Sequence, residues 1–248
     1  MSSKIVNRHL WGVFACMLLA SLLMSGCDVK PNMGKGGTSK AGEKELIKTH
    51  NNMKALILAV HMYNNANRTL LPAYTVDANG KPLHSWRVLI LPHIEQRELY
   101  SQIRLDEPWD SEHNKQFHNR DVEYFHSGAT KTPKGYTDFS MVVGPDTISD
   151  GPTARTFGDI TAGTSNTILF VERANPVCWM APTEVTQEAA LLGFGASPDG
   201  MAAFYNGGTT AVVGLLDGST QQIKTEDATP EKIQAALSRA SGSNSMLW

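Results

Sequence analysis

The stretch "EKELIKTHNNMKALILAVHMYNNAN" (residues 43–67) decides the fold class. Its apolar residues fall at Leu46, Met53, Leu56, Ile57, Val60 and Tyr63. Steps of three, four and seven place them on one face of an amphipathic helix. No Gly or Pro interrupts the stretch, and the turn-favouring Asn64, Asn65 and Asn67, followed by Pro72, end it. His50 and His61 lie on or beside the apolar face, eleven residues apart. That spacing makes no compact ligand pair, so both are read as packed or hydrogen-bonded residues at the core edge.

Working outward, a second helix is expected from about Ser85 to Arg104, with Trp86, Leu89, Ile90, Ile94, Leu99 and Ile103 as its apolar positions. Pro92 must kink or split it, because proline removes a hydrogen bond and clashes with the preceding turn. After Pro108 the chain turns, and Ser111 can cap a short third helix through Asn119. From Tyr136 the pattern changes to short apolar runs between turn residues: "YTDFSMVVG" (136–144), "NTILFVE" (166–172) and "TTAVVGLLDGSTQQI" (209–223). The last reads as a hairpin closed by a two-residue Asp217-Gly218 turn. "TPEKIQAALSRA" (229–240) has Thr229 as N-cap and Pro230 at the first helical position, which predicts a short C-terminal helix. Helices first and antiparallel strands later make an α+β fold, not an alternating parallel one.

The chain has 248 residues, 41% hydrophobic, with formal charge −2. No clustered basic patch argues for a nucleic-acid partner. Residues 1–26 combine Lys4 and Arg8, an apolar run from Trp11 to Met24, and Ser25-Gly26 before Cys27. That is the layout of a secretory signal peptide, and its end on Cys27 resembles the lipobox of bacterial lipoproteins. Cleavage before Cys27 and lipidation of its sulfur are the expectation, with Met24 standing where Leu is usual. Residues 27–42, rich in Gly, Lys, Ser and Pro, read as a flexible tether, residues 43–240 as the folded body, and residues 241–248 as a loose tail. Removing 1–26 takes away two cations, so the remaining charge is 20 minus 24, or −4. Only Cys16, Cys27 and Cys178 exist. Cys178 is left without a disulfide partner, so the body relies on its core. The expected place is the cell envelope, held to a membrane by the lipid.

The polar middle invites a chemical reading. His93, His113 and His118 lie within or just after residues 85–114, but no HExxH is present and a spacing of five turns two rings apart on a helix. The acids of "RLDEPWDSEHN" (104–114), with Asp106, Asp110 and Glu112 as weak candidates, could hold calcium through carboxylates and carbonyls. They do not follow the EF-hand series. Pairing with Arg104 or Arg87, Trp109 packed beneath Pro108, and capping by Asp110 or Ser111 account for every charge without a ligand, and that reading is preferred. Ser165 in "GTSNT" (163–167) has no Gly-x-Ser-x-Gly elbow and no histidine after it, so the hydrolase order cannot be completed. Cys178 reads as a small buried apolar residue. No catalytic residue, cofactor or resident metal is assigned.

Five segments occur in an order that resembles a known bacterial family: residues 51–73, 85–114 ("SWRVLILPHIEQRELYSQIRLDEPWDSEHN"), 157–172 ("FGDITAGTSNTILFVE"), 177–184 ("VCWMAPTE") and 215–219 ("LLDGS"). The family is the domain of unknown function 1559, also labelled bacterial extracellular solute-binding protein family 10. The resemblance covers residues 43 to 240. Its marks are Trp86, Pro92, Glu95, Trp109, Asp110, Gly163, Ser165, Asn166, Glu172, Trp179, Asp217 and Gly218. It implies a pseudopilin-like body: an amphipathic N-terminal helix on an antiparallel sheet, with short extra helices and a C-terminal one. Typical members begin with a prepilin helix, where this chain has a lipobox and tether. Phe125-His126-Ser127 replaces the family's Cys-Pro-Ser, Ala162 stands where Asp is usual, and Tyr205-Asn206-Gly207-Gly208 replaces His-Pro-Gly-Gly. The functional expectation is a non-enzymatic structural or protein-interaction module of the envelope, with other envelope proteins as partners. A solute- or cation-binding lipoprotein is the alternative, its small-molecule ligand unknown.

Overall fold

The computed structural model describes residues 40–240. The expected signal segment 1–26, Cys27, residues 27–39 of the tether and the tail 241–248 lie outside the described residues. The first helix, α1, spans Lys40–Asn67 and begins three residues earlier than the apolar spacing required. It ends where Arg68 takes a left-handed φ of 63° and its N–H reaches back to the Asn64 carbonyl at 2.7 Å. Met53, Leu56, Ile57 and Val60 are fully buried, and Leu46 and Tyr63 pack against the same core. The expected face is the observed one.

A short hairpin follows, β1 (Tyr74–Val76) and β2 (Pro82–Ser85), which the pattern of the sequence does not announce. The expected second helix is resolved into two. Ser85 caps α2 (Trp86–Ile90) by accepting the Arg87 N–H at 3.3 Å. Pro92 then sits in a one-turn 3-10 segment, Leu91–His93, before α3 (Arg97–Gln102). Between the two pieces Glu95 takes a φ of 62°, which reverses the chain. The expected third helix shortens to a 3-10 turn at Asn114–Phe117, whose N-cap is His113 without a side-chain bond, while Ser111 Oγ accepts the Asn114 N–H at 3.1 Å.

The later strands are β3 (Tyr136–Ser140), β4 (Val142–Val143), β5 (Ile168–Cys178), β6 (Val185–Thr186), β7 (Thr210–Leu215) and β8 (Thr220–Lys224). Four of them form an antiparallel sheet in the order β3-β5-β7-β8, while β4 and β6 pair in parallel. The fold class is therefore α+β, as expected. The last hairpin corrects the two-residue turn. Leu215 N–H bonds to the Ser219 carbonyl at 2.9 Å and Gly218 N–H to the Leu215 carbonyl at 3.1 Å, which leaves a loop of Leu216, Asp217 and Gly218. Only Gly218 takes a positive φ, 100°, so the tight turn that needs two such residues cannot form.

The sheet is covered on both sides. Phe170 and Val212 meet α1 and α2 in one core. Val171, Val213 and Ile223 meet α5 (Pro230–Leu237) in the other, through Ile233, Ala236 and Leu237. Burial on both faces explains why "NTILFVE" reads as an unbroken apolar run. Thr229 caps α5 at the Lys232 N–H, and a further short helix, α4 (Gln187–Leu191), is capped by Thr186. At Gly214 of β7 a Cβ would lie 2.9 Å from side-chain atoms of Met53 and Ile57, so glycine is what lets α1 lie this close to the sheet. Among the described residues, no helix is long and apolar enough to cross a membrane.

Candidate functional site

The histidines of the polar middle segment are dispersed, each on its own partner. The Nε2 of His84 meets the Arg104 carbonyl at 3.2 Å, that of His113 the Gln102 carbonyl at 2.9 Å, and that of His118 the Trp109 carbonyl at 2.9 Å. His118 also stacks on Trp109, with centroids 5.0 Å apart, and His93 meets Tyr63 edge-on at 6.3 Å. His126 Nε2 lies 3.2 Å from Asp121. On α1, His50 reaches the Thr220 hydroxyl at 2.7 Å and His61 the Leu216 carbonyl at 2.8 Å. These rings tie segments together.

The acidic turn shows the same economy. Glu107 accepts from Arg104 at 2.8 Å and from the Ser111 hydroxyl at 2.8 Å, and the Arg104 bond leads the forces that hold its carboxyl below the ordinary range. Asp106, Asp110 and Glu112 are exposed. Among the described residues, no group of three or more His, Cys, Asp and Glu side chains comes together as a metal-holding set. Arg87, an expected partner of these acids, is elsewhere.

Arg87 lies in the core with Trp86. Its guanidinium donates to both carboxylate oxygens of Glu184, at 2.7 and 3.3 Å, to Ser85 Oγ at 2.7 Å and to the Phe139 carbonyl at 2.5 Å. Glu184 also accepts from the Ser140 hydroxyl at 2.7 Å and the Met141 N–H at 2.8 Å. Above the pair runs an aromatic column: Phe170 stacks on Trp86 at 4.5 Å, Trp86 meets Phe125 edge-on at 6.3 Å, and Phe125 stacks on Trp179 at 5.9 Å. Two of the motifs, residues 85–87 and 177–184, thus meet through Arg87–Glu184 and through Trp86–Phe125–Trp179. Arg173, also buried, donates to the carbonyls of Asn175 at 2.6 Å and Thr183 at 3.0 Å, and burial draws its pKa down to about 10.

A second polar centre surrounds Glu172, midway along β5. Its side chain is fully buried and faces α1. Oε1 accepts from the Ser127 hydroxyl at 2.5 Å and Oε2 from the Val212 N–H of β7 at 3.3 Å. Tyr205 places its hydroxyl 2.5 Å from Thr49 of α1 and 3.4 Å from Glu172. The loop that carries Tyr205 is tight: Asn206, Gly207 and Gly208 all have positive φ, and the Tyr205 carbonyl takes the N–H groups of Gly208, Thr209 and Thr210. Close by, Asp138 accepts from the Ser127 N–H at 2.9 Å, from Thr130 at 2.9 Å and from Thr132. Burial pushes both carboxyls up, that of Glu172 to about 8.

Other motif residues make local bonds. Gly163 has a φ of 92°, and its carbonyl accepts from the Asn166 N–H at 3.1 Å and the Thr167 hydroxyl at 2.9 Å. Asn166 bonds back to the Ala162 carbonyl, Ser165 is exposed, and Asp217 accepts from both N–H and O–H of Ser219. Cys178 is a free thiol, partly buried, and burial raises its pKa. A polar surface depression is lined by Glu95, Gln96, Glu98, Leu99, Gln102, Arg120 and Asp121. Sequence reasoning missed Glu184, Asp138, Ser127, Tyr205 and Thr49 as a group. Ser127 and Tyr205 had been noticed only as part of departures from the family pattern, and those positions carry the centre.

A family model described as a protein of unknown function (DUF1559) matches residues 47–245. No curated protein matches the chain, and no solved structure does.

Proposed function

The chain belongs to the DUF1559 family, and on that premise we propose that it is an exported, lipid-anchored protein of the cell envelope. Its body serves as a non-enzymatic interaction module on a pseudopilin-like plan, with other envelope proteins as partners. The anchor rests on the signal-like residues 1–26, on Cys27 and on the tether that follows. The observation that carries the non-enzymatic reading is closure. Glu172, whose carboxyl is pushed up to about 8, and the bidentate ion pair Arg87–Glu184 are sealed from solvent by their own partners, out of reach of a substrate.

Labelled palmitate fed to cells expressing the full chain tests the anchor. Label and membrane association are expected in the wild type and lost in Cys27→Ala; label that persists in the variant refutes the assignment. A second reading, solute or cation binding, is favoured by the depression around Arg120 and the nearby exposed acids. Titration calorimetry of the full chain with calcium and zinc separates the two, and silence at about millimolar metal ends the cation reading.

A further inference from the structure

The oxygens of Thr49, Ser127, Glu172 and Tyr205 form a closed ring of contacts. Tyr205 Oη to Thr49 Oγ1 is 2.5 Å, Thr49 to Ser127 Oγ 3.1 Å, Ser127 to Glu172 Oε1 2.5 Å, and Glu172 back to Tyr205 3.4 Å. Tyr205 Oη also lies 3.4 Å from Ser127 Oγ, across the ring. Thr49 Oγ1 accepts the Gly128 N–H at 2.7 Å, and Ser127 Oγ accepts the Ala129 N–H at 3.1 Å and gives its own hydrogen to Glu172. The hydrogen-bond partners of Glu172 are all neutral, and two of its three donors, the Val212 N–H at 3.3 Å and the Tyr205 hydroxyl at 3.4 Å, are long. A fully buried carboxyl with one short donor and no cation beside it is poorly equipped to hold a charge.

The neighbouring groups agree. Asp138, on β3, collects three donors and is the better equipped of the two acids to carry charge. The titratable and charged groups around the ring are Asp138 and Tyr205, with His126 and Arg173 acting electrostatically with Asp138. From α1 the contact is the neutral Thr49, and from β7 the Val212 N–H. We propose that Glu172 holds a proton in the native protein near neutral pH, and that this proton latches α1 onto the sheet, so that the docking of α1 weakens as the pH rises.

The sign follows from burial and linkage. Burial and the Asp138 charge raise the Glu172 pKa from 4.5 to about 8, whereas in an opened state it returns to the ordinary value. The docked state then binds more protons, and docking is lost progressively between those two values and levels off above the higher one. His50, also on α1, has a pKa lowered by burial and acts in the opposite sense, weakening docking on acidification.

The test uses the full chain in detergent, with glutamate carboxyls labelled with carbon-13 and Glu172 assigned by the resonance lost in Glu172→Gln. Glu172 should titrate near 8, and protection of the α1 amides against exchange, corrected for intrinsic rates, should fall about tenfold per pH unit below that point. The amides of α5, across the sheet, should hold. In Glu172→Gln, which is neutral at every pH, the decline should vanish. Should that variant not fold, Tyr205→Phe opens the ring and is expected to lower α1 protection at all pH values. Titration of Glu172 in the ordinary carboxylate range, α1 protection that ignores pH, or equal losses in α1 and α5 would overturn the latch.

Discussion

Arg87 and Glu184 stand 97 residues apart and meet in a bidentate ion pair whose two side chains are both wholly shielded from water. The pair joins the segment after α2's cap to the segment before β6, and Phe139, Ser140 and Met141 complete it from β3 and its end. A buried pair of this kind contributes little over an apolar replacement, but breaking it strands a charge. Glu184→Ala is expected to destabilise the protein by about 3–5 kcal/mol in guanidinium titrations, and the double variant Arg87→Met/Glu184→Leu by clearly less. Equal losses in both would refute the account.

Gly128 is the second point of vulnerability. A Cβ there would lie 2.0 Å from the Glu45 carbonyl oxygen of α1, a backbone atom that cannot swing aside. Gly128→Ala must push the start of α1 off the 127–129 segment and strain the Gly128–Thr49 bond of 2.7 Å. A loss of at least about 2 kcal/mol is expected, with amide exchange rising first in the opening turns of α1. An unchanged denaturation midpoint would show that the helix start has room to yield.

Family motif residues should divide sharply by burial. Trp86 is fully buried and touches Phe170, Phe125 and the Arg87 guanidinium, which lies 4.7 Å from its ring. Trp86→Ala should cost about 3–5 kcal/mol. Ser165 belongs to the motif equally and is exposed, so Ser165→Ala should stay within about 0.5 kcal/mol of wild type. Thermal melts of the two side by side decide the matter.

Acid should weaken the fold through its histidines. Burial lowers the pKa of His50, His84 and His93 below 6.5. A depressed folded value means that the stability is present above 6.5 and is lost as the pH falls through the folded values, because the unfolded chain takes up those protons first. Imidazole resonances of these three should titrate below 6.5, with a falling denaturation midpoint over the same range. Titration of His84 at or above its ordinary value would contradict the sealed environment of its ring.

The sequence by itself determined what depends on local order. The apolar period of residues 43–67 specifies α1 and its buried face, Pro92 specifies the break, and Thr229-Pro230 specifies the start of α5, because each is settled within a turn or two of chain. The ordered motifs also identified the family. Short elements escaped: β4 and β6 are two residues each and have no period to read. The turn at Asp217-Gly218 was mistaken because the dipeptide permits positive φ at both positions but does not compel it.

The two polar centres were decided only by the tertiary structure. Thr49, Ser127, Glu172 and Tyr205 come from four separate segments, and nothing in the spacing of a lone Glu in an apolar run says which hydroxyls will reach it. Sheet pairing decides it, by setting Phe139 opposite Glu172 and turning that side chain towards α1. The same holds for Arg87, whose nearest acids in sequence lie on the surface while its partner lies across the core. Local charge patterns identify a partner where the two are neighbours on the chain, as Arg104 and Glu107 are; in a sealed core, the fold chooses.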